Sequence, residues 1–282
     1  MSAGSKRDRD GNTRAKTAPD APRGRFHGMF EQFRDELDEH HDRRERIVKA
    51  SRDVTAHSKK IRVQHLRPAK VTFAAEASQT RGSPSSSARV KTLNQEFPPH
   101  TQKDMDTRMA DVTKLLQSTA PDLGSINRHR YTWQLRCLEE LVEALSFAHY
   151  LRHQTLMTPA EAQAALPADV ALTAHDYAHG VLDLFGELMR FATVQRGEVL
   201  GAGDDGGGGR RTILRDMQAL GCAFEMLPEV PGREFRGKMD VMRQSVRKVE
   251  KLGYGLVVRG SERPSGWVPD VKDEAREAVE PV

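Results

Sequence analysis

The chain has 282 residues, of which 37% are hydrophobic and 30% charged, with a formal net charge of +4. That length supports a sizeable core, and no apolar run approaches the roughly 18 residues of a membrane span. Only Cys137 and Cys222 are present, which excludes a disulfide framework and a four-thiolate zinc site. Both lie in apolar, helical-looking surroundings and read as buried thiols, with a reducing compartment as the default.

The N-terminus opens SKRDRDGNTRAK. It has no apolar stretch of a secretory signal, and residues 1–28 read as a disordered tail. Residues 29–67 follow as one long helix. Phe30, Phe33, Leu37, Ile47, Val54 and Ile61 recur at a spacing near three and four, and Pro68 stops the helix. Residues 69–101 contain RGSPSSSAR and the pair Pro98–Pro99, which read as a flexible connector. A second helix is expected over 102–118, with Met105, Met109, Val112 and Leu116 on one face. A third is expected over 125–152, striped by Leu135, Leu138, Val142 and Leu145.

Thr158, Pro159 and Glu161 combine an N-cap, a first-turn proline and a capping box, announcing a short fourth helix. Thr173 and Asp176 give another start signal, for a helix to about Gln195 carrying Tyr177, Leu184, Leu188 and Phe191. The run GAGDDGGGG lies within a second flexible connector, 197–210. It lacks the Gly-Lys-Ser/Thr and the preceding strand of a phosphate cradle. Two more helices are expected, at 212–226 and 231–258, before a C-terminal tail over 263–282. No segment alternates like a strand, so the fold class is all-α, a seven-helix bundle in one domain over 29–262.

Two acidic pairs carry the chemistry. Glu140 and Glu143 are three apart on the third helix; Asp183 and Glu187 are four apart on the fifth. Each spacing puts both carboxylates on one face, beside apolar neighbours where like charges repel and desolvation is costly. A hard divalent cation such as Mg²⁺, shared by the two helices, relieves both penalties. The commoner fate of such pairs is a solvated face. A di-iron bundle requires Glu-x-x-His on two helices, but Ser146 and Arg190 stand at the histidine positions. His179, one turn before Asp183, is a possible further ligand or an ordinary buried partner. Arg190, Arg243 and Arg247 are candidates for contacting phosphate, Arg243 and Arg247 within a basic row that also includes Arg236 and Lys251.

Four collinear stretches carry a resemblance: 30–60 (FEQFRDELDEHHDRRERIVKASRDVTAHSKK), 138–151 (LEELVEALSFAHYL), 176–190 (DYAHGVLDLFGELMR) and 248–262 (KVEKLGYGLVVRGSE). They are similar to the translin family, and the retained acids point to its acidic type of subunit rather than to translin itself. The resemblance implies a seven-helix translin-like bundle and a hetero-oligomer with translin, an octameric barrel that encloses single-stranded RNA. It further implies a Mg²⁺-dependent endoribonuclease of the cytoplasm and nucleus. Single-stranded or nicked RNA is the substrate, such as small-RNA passenger-strand fragments and transfer-RNA processing leftovers. Glu140, Glu143, Asp183 and Glu187 would be its catalytic carboxylates, with Glu143 and Glu187 as the metal ligands. The alternative is a non-catalytic helical scaffold that binds RNA.

Overall fold

The computed structural model describes residues 24–66, 93, 96–194, 212–228 and 232–260. Side chains are not described at 63–66 and 259–260. Residues 1–23 of the tail expected at 1–28, the tail expected at 263–282, the connector at 197–210 and most of that at 69–101 lie outside these residues; the end of the expected N-terminal tail is described and turns into helix from His27. The described residues form eight α-helices and no strand. In chain order these are α1 (His27–Leu66), α2 (Pro99–Thr119), α3 (Asn127–Arg130), α4 (Cys137–His153), α5 (Pro159–Ala164), α6 (Ala174–Val194), α7 (Ile213–Glu225) and α8 (Arg233–Gly260). None is long and apolar enough to cross a membrane.

The chain divides into two units, Met1–Glu45 and Arg46–Val282. In the first, Phe30 and Phe33 meet edge to face at 6.1 Å. Phe26, Phe30, Phe33 and Leu37 are exposed, so the apolar stripe expected along the whole of α1 is not uniformly buried. The charged residues between them make exposed local pairs such as Arg34–Asp35.

In the second unit, Ile47, Val54 and Ile61 of α1 are fully buried. Val54 joins Val112 and Leu116 of α2 and Leu138, Leu141 and Leu145 of α4 in one apolar cluster. A larger cluster joins α4, α6, α7 and α8 through Phe147, Phe185, Phe191, Met217, Met242 and Val249. Burying each of these large side chains contributes about 1.5–3 kcal/mol. From Cys137 to Ala148, α4 is buried on nearly every side, Glu140 being the exception. A helix buried all round is a central one.

At the crossing of α4 and α6, a Cβ on Gly180 would lie 2.7 Å from both the Glu139 carbonyl oxygen and Val142 Cβ. Only glycine permits that approach. Asp216 of α7 fastens the far end of α4, accepting from the Tyr150 hydroxyl at 2.8 Å and the Gln154 amide at 3.0 Å. Gln154 itself closes α4 in the left-handed conformation, with φ 49°.

The expected third helix is interrupted. α3 ends at Arg130, a 3₁₀ turn occupies Thr132–Leu135, and α4 starts at Cys137. Tyr131, Thr132 and Trp133 are β-branched or aromatic and weak helix formers. The Thr132 hydroxyl bonds back to the carbonyls of Arg128 and His129, an alternative to the helical ladder. The capping signals form as expected. Thr158 and Glu161 make a reciprocal capping box, and Thr173 and Asp176 do the same at the start of α6. Cys137 is buried, its thiol pushed up to about 11 by burial. Cys222, expected to be buried, is exposed. It falls on the α7 face that lines an open groove of about 350 Å³ against α8.

Candidate metal centre

The capping box of Thr173 and Asp176 fixes the start of α6, and the Gly180 crossing fixes its distance from α4. Together they bring the two acidic stretches alongside each other. Glu143 and Glu187 are buried, Glu140 and Asp183 partly so. Glu140, Glu143 and Glu187 converge on one cation, the guanidinium of Arg62 near the end of α1. Arg62 Nη1 donates to Glu143 Oε2 and lies 3.6 Å from Glu140 Oε2, while its Nε lies 3.4 Å from Glu187 Oε1. Lys59, one turn earlier, sits 3.5 Å from Glu140 Oε1. Arg190 caps the group from the solvent side with a hydrogen bond to Glu187 Oε1.

Positive charge does not fully satisfy these acids. Glu140 Oε2 and Glu187 Oε2 are buried without a hydrogen-bond partner. Burial pushes the Glu143 carboxyl up to about 8; Arg62 opposes this, and Asp183, Glu187 and Glu140 add to it. Asp183 shares the charge field of Glu143 but points to another cation. Lys238 of α8 bonds its Oδ2 at 2.6 Å and Glu139 Oε2 at 2.9 Å. Burial raises Asp183 above its ordinary range despite the opposing contact with Lys238, and Glu139 and Glu140 add smaller pushes in the same direction. Glu139 behaves oppositely. Burial opposes its charge, yet His179 and Lys238 overcome this and hold it at about 2.

Of the arginines singled out in sequence, only Arg190 adjoins this centre. Arg243 and Arg247 line the groove between α7 and α8. There Arg243 is forked onto Glu225 at 2.6 and 2.8 Å. Sequence reasoning missed Arg62, Lys59, Lys238 and Glu139. The cations lie far along the chain from the acids they meet, and no local spacing reveals that. Glu139 was legible as a third acid in LEELVE, but its burial depends on the α6 crossing.

An all-helical body with buried acids on two crossing helices defines the class, and the chain belongs to the translin family: the family model matches residues 42–260. It is 28% identical to Translin-associated protein X of Rattus norvegicus over 279 residues, covering 89% of this chain and 85% of that one. It is 26% identical to the Translin-associated protein X homolog of Schizosaccharomyces pombe over 247 residues, 83% of this chain and 89% of that one. The fold also resembles the crystal structure of apo-NeC3PO, with a TM-score of 0.54 at 16% identity, over 80% of this chain and 95% of that one.

Proposed function

We propose that this chain is the acid-bearing subunit of a hetero-oligomer with translin, and that it hydrolyses phosphodiester bonds of single-stranded RNA with the help of Mg²⁺. The convergence of Glu140, Glu143 and Glu187 from two helices on one partly buried cation carries the reading. Relatives whose name associates them with translin support the partner.

The donor set suits a hard cation. It is all oxygen, it holds two buried carboxylate oxygens without a hydrogen-bond partner, and one of its carboxyls is raised to about 8, chiefly by burial and further by the neighbouring acids. Glu143 and Glu187 would hold the ion. A bound Mg²⁺ would supply charge to polarise the scissile phosphodiester and acidify an attacking water. Glu140, partly exposed and tethered only loosely by Lys59 at 3.5 Å and Arg62 at 3.6 Å, would orient that water and accept its proton. Asp183, held by Lys238, would add negative potential that favours the ion. Arg190, whose side chain is 60% exposed, would meet a phosphate oxygen.

Glu143→Ala in the co-expressed complex should lower Mg²⁺-dependent RNA cleavage by at least about 100-fold. Assembly should stay intact by size-exclusion chromatography. Cleavage that persists in this variant removes the assignment.

The Arg62 contact favours a second reading. An acidic cluster neutralised by the chain's own guanidinium is also what a non-catalytic RNA-binding scaffold would contain. Chelation separates the two. The enzyme loses cleavage in EDTA and keeps RNA binding; the scaffold cleaves nothing in either condition.

A further inference from the structure

Beyond the carboxylate centre, a second cluster of metal-ligating side chains lies where α4 and α6 cross. His175 and His179 are four residues apart on α6, so their rings share one face. Their ring centroids are 3.8 Å apart with the planes tilted by 31°. Glu139 approaches from α4. One ligand atom from each of the three lies within 4.8 Å of the other two.

His179 is the informative member. It is 2% exposed, and its Nδ1 is buried with no hydrogen-bond partner. That atom sits 3.5 Å from Glu139 Oε2 without forming a hydrogen bond to it. An unsatisfied buried ring nitrogen is costly, and a cation between it and the carboxylate would satisfy both. His175 is exposed, which leaves a route from solvent. Lys238 also bonds Glu139, but it has Asp183 at 2.6 Å as an independent anchor.

We infer that His175, His179 and Glu139 form a binding site for a borderline divalent transition metal such as Zn²⁺, clamping α4 to α6 beside the Gly180 crossing. Two imidazoles and one carboxylate are a donor set that Zn²⁺ accepts, with an open position left for water. A pair of histidines at i and i+4 on a helix is a chelating spacing. Mg²⁺ prefers the all-oxygen centre nearby. The site stands on its own residues and survives if the RNA-cleaving reading fails.

The test uses the full-length chain, stripped with EDTA and dialysed. Co²⁺ is added as a spectroscopic probe and then displaced by Zn²⁺, with thermal unfolding recorded in parallel. The expected result is a visible absorption of nitrogen-ligated Co²⁺ that saturates at one equivalent and is lost on adding Zn²⁺, and a higher Tm with Zn²⁺. His175→Ala, at an exposed position, should keep the metal-free Tm. Loss of even an outer-sphere partner costs roughly 10–100-fold in metal affinity, so this variant should weaken Co²⁺ binding by at least about tenfold. Glu143→Gln, which alters only the carboxylate centre, should keep the visible absorption of nitrogen-ligated Co²⁺. The inference is overturned if the wild type takes up no Co²⁺, if His175→Ala binds it undiminished, or if Glu143→Gln abolishes the absorption and so moves the ion to the carboxylate centre.

Discussion

At the scale of single residues, Glu139 and Glu143 show how one helix can hold two acids in opposite states. Glu139 faces Lys238 and His179 and lies at about 2. Glu143 faces Arg62 of α1, Glu140 on its own helix, and Asp183 and Glu187 of α6, and lies at about 8. The folded chain therefore keeps a proton on Glu143 that the unfolded chain releases near 4.5, and metal-free stability should fall as pH rises from about 4.5 to about 8. Glu139 contributes the reverse, stability present above 4.5 and lost as pH drops towards 2. Glu143→Gln should flatten the decline of Tm between pH 5 and 8 in EDTA. Above pH 8 it should melt about 2–4 °C higher than wild type. Calorimetric curves that stay parallel across this range would show that Glu143 is not protonated in the metal-free chain.

At the scale of elements, the centre depends on two helices meeting more closely than most side chains allow. A methyl group at 180 meets backbone on one side, the Glu139 carbonyl, and that atom cannot swing away. Gly180→Ala should cost about 1–3 kcal/mol and should also loosen the acidic centre, read as a lower Tm and weaker Mg²⁺ dependence in the same protein. The helices themselves were largely legible in the sequence. Thr158–Glu161 and Thr173–Asp176 announced two starts by local chemistry alone, and the periodicity of Val112–Leu116 and Leu184–Leu188 placed their apolar faces. The break at Tyr131–Thr132 was not legible, because the hydroxyl that back-bonds there competes with a stripe that continues through Leu135 and Leu138. Of the centre, the acids at 140, 143, 183 and 187 could be named from spacing. Arg62 and Lys238 could not, since they meet those acids only through tertiary packing across 81 and 55 residues of chain.

At the scale of the whole molecule, the second unit has a buried apolar core, while the first carries an exposed apolar stripe at Phe26, Phe30, Phe33 and Leu37. An apolar stripe left in water is a common mark of a surface meant for another chain. Phe30→Ser combined with Phe33→Ser should leave the Tm of the chain unchanged while reducing its co-assembly with translin, measured by light scattering of the co-purified complex. A complex of unchanged mass would assign the stripe another role. The two cysteines offer a further use of the fold's uneven depth. Cys222 is open to solvent while Cys137, neutral and enclosed at the head of α4, is shut away. A thiol-reactive dye should therefore label the chain in two phases, Cys222 at once and Cys137 only as fast as the body of the protein opens. Its slow phase becomes a built-in clock for how often the central helix breathes, readable in the native protein without heat or denaturant.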